Sequence, residues 1–177
     1  TDNITYSDNP GKDSQKSQIF IADYKYDLGE QIVDFNVGMS SNETLHSYDS
    51  DWGNYSFWFD EPYNFNPDVE GYQYDFFDSF DREIDTRTVD LRFRSNVKNN
   101  NKVDYVFGIY NSNYEETTDA AGYVFGGSAT GLSTGYDIVS KSLYGELAYN
   151  FENSSTLSVG FRHEARDIDY FDFDNPS

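Results

Sequence analysis

The segment between Ser140 and Asp169 constrains the fold more than any other, because apolar and polar side chains alternate on both sides of a short polar break. The break lies at residues 152–154. Mostly apolar residues take the odd positions around it: Leu143, Gly145, Leu147, Tyr149, Phe151, Leu157, Val159, Phe161 and His163. A period of two on each side of a polar turn is typical of a β-hairpin. The segment is therefore predicted to form two antiparallel strands with one apolar and one polar face.

The same alternation occurs in two earlier parts of the chain. Together the three segments predict hairpins at about 18–41, 86–117 and 139–171, and the first two turn at residues 28–31 and 96–102. No segment of useful length has the period of a helix. The predicted fold class is all-β, an antiparallel up-and-down meander of about six to eight strands.

The connections at the other end of the hairpins are much longer, at about 46–85 and 116–136. Short turns at one end and long loops at the other are typical of an outer-membrane barrel, whereas a soluble sandwich more often mixes its loop lengths. Loops of this length are uncommon in a compact soluble domain unless they are functional. Residues 1–177 are therefore predicted to form a single segment of a transmembrane β-barrel.

Composition narrows the classes of function. The net charge of -20 argues against a nucleic-acid partner, because phosphate binding requires clustered Lys and Arg. The acidity favours cationic ligands or metal ions, or it reflects only solvated acidic loops. The absence of cysteine excludes disulfides and thiolate metal sites. No apolar run approaches the ~20 residues of a membrane helix, which leaves membrane strands possible.

No catalytic motif is present, so the chain is not expected to be an enzyme, and no cofactor is expected. It has no Gly-x-Ser-x-Gly elbow, phosphate-binding glycine loop or His-Glu-x-x-His pair. His46 and His163 lie on different segments, and His163 continues the apolar face of its strand. The acidic run at 167–174 lacks the glycine and terminal glutamate of an EF-hand loop, so no metal site is predicted.

The loop at 46–85 combines many aromatic side chains with many acidic ones. Aromatic rings supply stacking area, and carboxylates accept hydrogen bonds from hydroxyls or attract cations. The best candidates for ligand contact are Trp52, Tyr55, Trp58 and Tyr63. Two interpretations remain open, since the same rings could simply pack the loop against itself. The alternation at 55–59 is also compatible with one more strand above the barrel.

Charged side chains share the polar positions of the hairpins. Arg92, Arg94 and Arg162 have the same parity as nearby acids such as Asp90 and Glu164. If the apolar residues face lipid, this mixed charge faces a barrel interior that meets water or a plug domain. In a soluble protein the same pattern would be an ordinary solvated sheet face.

Four phrases of the sequence carry a resemblance to a known family. Residues 88–95 end in Arg-x-x-Ser, 103–110 contain an aromatic followed by Gly-x-Tyr, 143–150 contain Tyr-Gly-Glu, and 157–164 read Leu-x-x-Gly-x-Arg-x-Glu. In this order they resemble the barrel of TonB-dependent outer-membrane receptors. The likeness covers about 86–169 well and 18–39 loosely.

The resemblance implies part of a plugged barrel of about 22 strands in the outer membrane of a Gram-negative cell. Such a receptor imports a scarce nutrient, of the siderophore, vitamin or oligosaccharide class, with energy from the inner membrane. The implied partners are outer-membrane lipid, the plug domain, the TonB system and the nutrient. The chain has no plug or TonB box, so it resembles an excised barrel segment whose loops at 46–85 and 116–136 hold the ligand specificity.

Two other interpretations remain. A complete eight-stranded outer-membrane barrel would need two further strands, which 55–59 and 72–80 could supply. A secreted carbohydrate-binding β-sandwich would use the same aromatic and acidic residues in a groove.

Overall fold

Six long strands account for most of the molecule. The computed structural model describes residues 6–50, 53–66, 69, 77–96, 102–122 and 132–172. The strands are β1 (Lys12–Asp27), β2 (Gln31–Asp49), β3 (Phe77–Ser95), β4 (Val103–Ala121), β5 (Leu132–Asn150) and β6 (Thr156–Asp172). They form one sheet in the order β1-β2-β3-β4-β5-β6, and every neighbouring pair is antiparallel. The predicted all-β, up-and-down meander is confirmed.

The register of the sheet assigns every strand residue to a face, because residues directly opposite each other point to the same side. Leu147 lies opposite Val159, and Phe93 lies opposite Phe107. We call this side the front face; it carries the odd-numbered residues of β2 to β6 and the even-numbered residues of β1. The other side is the back face. The prediction that the apolar alternating residues share one face is confirmed.

The short turns lie together at one end of the sheet, as predicted. Gly29 adopts a φ of 91° in the first turn, a conformation that glycine reaches without strain. Asn96, directly after β3, donates its backbone N–H to the Glu30 carbonyl at 3.0 Å and so joins the end of β3 to the first turn. At the third turn, the Asn150 N–H donates to the Lys102 carbonyl at 2.8 Å. The half of the sheet beside these turns is called the turn-side half below.

The strands are longer than the sequence predicted. β2 to β5 each contain 19 residues, which corresponds to about 60 Å of extended chain. The connections are correspondingly shorter, at 50–76 and 122–131 rather than 46–85 and 116–136. The predicted hairpins end where the alternation of apolar residues ends. In the structure the backbone hydrogen bonds between strands continue beyond those limits, through polar residues. We call the half beside these connections the loop-side half.

The stretch whose alternation was compatible with one more strand is helical. Residues 55–59 form α1 (Tyr55–Phe59), not an additional strand. The side chain of Asn54 caps it by accepting the Phe57 N–H at 3.0 Å, which satisfies a donor that a helix start leaves unpaired. This finding removes one of the two extra strands that a complete eight-stranded barrel required. The other falls on 72–80, of which 72–76 lie outside the described residues, and Phe77 begins β3.

The sheet has no second layer within the described residues. Ile32 and Ala120 are the hydrophobic residues that are buried there, while large apolar side chains on every strand remain exposed. The sheet is open, since β1 and β6 have no further strand paired to them in the described part of the chain. Among the described residues, no helix is long and apolar enough to cross a membrane.

Candidate ligand-contact surfaces

The front face of the turn-side half is a continuous apolar surface. We call it the apolar band; its members include Phe35, Met39, Val89, Phe93, Phe107, Ile109, Leu143, Leu147, Val159 and Phe161. Ile109 is 55% exposed and Val159 is 68% exposed, so the band is uncovered. Aromatic rings lie over Gly145, where an added Cβ would come within 2.6 Å of Phe107 and 2.9 Å of Phe161. The surface of the apolar band is therefore formed by aromatic and aliphatic side chains, without a gap at Gly145.

The back face at the same height is polar and internally hydrogen-bonded. Asn36 donates to Asp23 and accepts from Arg92 Nη2 at 3.0 Å, and Arg92 pairs with Asp90 at 2.8 Å. Tyr144 completes this polar network by donating its hydroxyl to Asp90 at 2.7 Å. The network thus links β1, β2, β3 and β5 through side chains, and Tyr144 reaches Asp90 across β4.

Two further groups extend the polar network. Arg94 pairs with Asp34 at 2.6 Å, near the turns. Glu164 on β6 holds two arginines, Arg162 at 2.7 Å and Arg166 at 3.2 Å. Positive and negative side chains therefore alternate across this face, which suits a wall that meets water or another polar protein surface.

The front face changes character in the loop-side half, where it becomes acidic. One cross-strand row carries a carboxylate on each of four adjacent strands: Asp85, Glu115, Asp137 and Asp169. We call it the acidic row. A cavity of about 340 Å³ opens on this face beside the row and is also lined by Thr117 and Phe171. No group of metal-ligating side chains with suitable geometry occurs in the described part of the chain.

The back face of the loop-side half carries the apolar side chains instead. Its members, which we call the aromatic patch, are Ile84, Tyr114, Tyr136, Ile138, Ile168 and Tyr170. The rings of Tyr136 and Tyr170 are 5.1 Å apart. Near the connections, His46 lies 6.4 Å from Phe80, again on the back face. Most apolar and aromatic side chains have thus exchanged faces between the two halves of the sheet, with exceptions such as Phe171 on the front face.

A bidentate ion pair lies within the aromatic patch. Arg82 donates to Glu116 through Nε at 2.8 Å and Nη2 at 2.7 Å, and the Tyr114 hydroxyl also donates to Glu116. The hydrogen bonds from Arg82 hold the pKa of Glu116 below its ordinary value, against the opposing effect of burial. Burial and the hydrogen bond to Glu116 raise the pKa of Tyr114. The patch therefore combines stacking surface with one fixed charge pair.

Of the four predicted ligand residues, Trp52 lies outside the described residues. Trp58 and Tyr63 are brought together, with ring centroids 5.0 Å apart, and Phe57 lies 5.0 Å from Trp58. Tyr55 is not part of this cluster and stacks on Phe59 at 5.4 Å. These contacts show that the rings pack the loop. Ligand contact stays a prediction, and the exposed faces of Tyr55 and Tyr63 remain open to it.

The aromatic patch is the part of the candidate surface that sequence reasoning missed. Its signal is a change of parity within a strand: in β6, Val159 and Phe161 are odd, whereas Ile168 and Tyr170 are even. Asp167 and Asp169 take the odd positions of this stretch, so its apolar side chains do not continue the predicted apolar face of the hairpin.

No protein-family model matches this chain, and no curated protein is significantly similar to it in sequence.

Proposed function

We propose that the chain is a wall segment of a large outer-membrane β-barrel of the TonB-dependent receptor class, which imports a nutrient of the siderophore, vitamin or oligosaccharide class. The observation that carries the proposal is the apolar band. It runs across the front face of all six strands beside the short turns, and it lies opposite a hydrogen-bonded polar network.

The dimensions of the band favour a bilayer. A membrane strand needs about 9–11 residues, so strands of 19 residues extend well beyond a bilayer on one side. In β5 the front-face apolar residues run from Leu143 to Tyr149, and Lys141 then ends the run. At about 3.3 Å per residue this run is about 20 Å long, which approaches the outward apolar belt of about 25 Å in outer-membrane barrels. The loop-side half would then rise into water.

The two edge strands support a larger barrel. β1 and β6 are exposed along almost their whole length, with 16 and 17 residues respectively. Long unpaired edges invite aggregation, and a barrel removes them by closure. We therefore expect both edges to pair with further strands of the same barrel. A carbohydrate-binding sandwich would need a second sheet over the apolar band, and the described residues hold one sheet.

The loop-side end is the proposed place of ligand capture. The aromatic patch and the loop around α1 lie at this end, and the surrounding acids favour a cationic, metal-bearing or hydroxyl-rich ligand over a bare anion. The polar network would face the lumen and the plug domain of the receptor, with which the TonB system works.

Single-cysteine labelling tests the membrane part of the proposal, because the chain has no cysteine of its own. Ile109→Cys and Thr117→Cys lie on the same face of the same strand, in the turn-side and loop-side halves. A polarity-sensitive fluorophore should report hydrocarbon at position 109 and water at position 117 in phosphatidylcholine vesicles. Water at both positions would refute a membrane-spanning band. A label at Ser112→Cys, on the back face, controls for simple burial.

Ligand capture is tested in the intact receptor by replacing Trp52 and Trp58 together with alanine. Stacking by each ring is worth about 0.5–1.5 kcal/mol beyond its area burial, so affinity should fall about tenfold or more. Unchanged affinity with a folded barrel would leave these rings with a packing role only. Tyr24→Ala, on the front face of β1, is the control for a general effect of losing an aromatic ring.

A further inference from the structure

We propose that the loop-side border of the apolar band binds the phosphate headgroups of membrane lipids through Arg87 and Lys141. This inference rests on the proposed membrane function and deepens it, because it assigns a lipid-binding site to two residues.

Both side chains lie on the front face where the apolar band ends. Arg87 is opposite Met39 on one side and Asn113 on the other. Lys141 lies in β5, opposite Asn111 and Ala165. From Arg87 and Lys141 toward the turns the front face is apolar; toward the connections it becomes acidic. The two cations therefore occupy the level at which lipid headgroups would meet the sheet.

Arg87 and Lys141 have no ion-pair partner among the described residues, a property that they share in the sheet with Lys12 and Lys25 of β1. Within the described residues, ion pairs are formed by Lys16, Arg82, Arg92, Arg94, Lys102, Arg162 and Arg166. Neither Arg87 nor Lys141 pairs with a described acid within 4.0 Å, and both are exposed. Acids are close in the register, since Asp85 is two residues from Arg87 on the same face. In a chain with net charge -20, two uncompensated cations at this border call for an external anion.

The spacing of the two residues suits lipid headgroups. They are two strands apart and offset by one step of two residues, which places their Cα atoms roughly 12 Å apart. Long, flexible side chains can converge from that distance on one headgroup or bind two neighbouring ones. The arginine fork binds phosphate oxygens in pairs, and the lysine acts as a point charge.

The acidic row fixes the height of the site. It lies one two-residue step beyond Arg87 along β3, about 6.6 Å farther from the turns. A phosphate at that level would face four carboxylates and be repelled. Along β3 the order is apolar, basic and then acidic, and in β5 Val139 separates Lys141 from Asp137, so a phosphate is attracted between the apolar band and the acidic row. A lipid satisfies this arrangement because its acyl chains cover the apolar band while its phosphate meets the cations.

The test measures binding of the full chain to vesicles of phosphatidylcholine alone and of phosphatidylcholine mixed with phosphatidic acid. The wild type should bind the mixed vesicles more tightly. The affinity of R87Q/K141Q for the mixed vesicles should be about thirtyfold lower, because each basic side chain near an anionic surface contributes about 1 kcal/mol. The control K12Q/K25Q removes the same total charge, from Lys12 at the loop-side end and from Lys25 on the back face. It should bind the mixed vesicles as tightly as the wild type does. R87K/K141R should also keep most of that affinity.

Each outcome decides a separate question. The lipid site would be overturned if phosphatidic acid increased the affinity of R87Q/K141Q as much as that of the wild type. It would also be overturned if K12Q/K25Q lost as much affinity as R87Q/K141Q. Competition by inorganic phosphate as effective as that of phosphatidic acid would show a site for free phosphate and also overturn it. If the wild type does not insert into phosphatidylcholine vesicles, judged by the label at position 109, the proposed membrane function fails first. Insertion without phosphate dependence would leave that function standing and remove only this inference.

Discussion

The turn-side and loop-side halves of the sheet are built from the same strands but face their apolar residues in opposite directions. Beside the turns, Ile109 and Leu143 stand on the front face, and the back face holds the polar network. Beside the connections, Tyr136 and Tyr170 stand on the back face, and the front face carries the acidic row. The register continues without interruption through both halves, so the exchange is a property of the sequence and not of a slipped strand.

This comparison indicates that the two halves have different surroundings. Burying an Ile or Leu side chain is worth about 1.5–3 kcal/mol, and the turn-side half leaves many such side chains exposed on its front face. That arrangement is favourable only if something apolar covers the front face. In the loop-side half the front face carries the acidic row, which is well solvated by water, and the apolar contacts of the aromatic patch lie on the back face. The proposed passage of the sheet from lipid into water would account for both.

The largest predicted effect comes from placing a charge in the apolar band. Phe107→Arg should destabilise the membrane-inserted form by about 2–4 kcal/mol, because Phe107 lies near the centre of the band and an outward-facing arginine near the bilayer midplane is poorly solvated. Thr117→Arg, on the same face of the same strand but in the loop-side half, should change it little. Urea unfolding from vesicles measures both free energies. Equal effects of the two substitutions would break the distinction between the halves.

A second prediction concerns close packing behind the apolar band. The ring of Tyr144 lies directly over Gly108, so a methyl group in Gly108→Ala would push the ring and its hydroxyl away from Asp90. We expect a loss of about 1–3 kcal/mol in the free energy of unfolding, as for other overpacked sites. Gly160→Ala is the matched control on the same face, since its Cβ would meet nothing closer than 3.5 Å. Equal stability of the two variants would remove Tyr144 as a fixed element of the polar network.

Much of the fold was predictable because alternation alone sets the faces of a strand. Leu147 and Val159 were predicted to share a face, and their direct pairing confirms it. The turns were also predictable, since Gly29 and the polar run after Ser95 interrupt the pattern. These features depend on residues that are neighbours in sequence, where periodicity is strongest.

The rest was hidden for two physical reasons. Beyond the apolar band the front face of the strands is mostly polar. Hydrogen bonds between backbones, which carry no side-chain signal, nevertheless extend the ladder to the pair Ala120 and Leu132. The sequence Tyr55–Phe59 is aromatic at every second position, but the Asn54 cap makes it helical. Periodicity over five residues cannot separate these outcomes. The aromatic patch was missed because its parity reverses within a strand.

The third prediction tests whether the aromatic patch is cohesive. Tyr136→Leu and Tyr170→Leu, made singly and together, should show a coupling of about 0.5–1.5 kcal/mol in a double-mutant cycle, because the two rings are in contact. Tyr136→Leu combined with Tyr24→Leu should be additive, since Tyr24 lies on β1, far from β5 in the sheet. A coupling near zero for the first pair would mean that these rings do not form a common surface.

The smallest predicted effect is a pH dependence that belongs to the loop-side half. The pKa of Glu116 is held below its ordinary value of 4.5, chiefly by the hydrogen bonds from Arg82. A carboxyl group with a depressed pKa stabilises the fold at pH values above its unfolded pKa, and this stabilisation disappears as the pH falls through the folded pKa. Arg82 is 47% exposed, so solvent screening limits the contribution to about 1 kcal/mol or less. The free energy of unfolding of the wild type should therefore exceed that of Glu116→Gln at neutral pH, and the difference should vanish on acidification. Glu152→Gln is the control, because Glu152 is 94% exposed and its contact with Lys102 is 3.7 Å long. A difference that persisted in acid would mean that Glu116 stabilises the patch by packing and not by its charge.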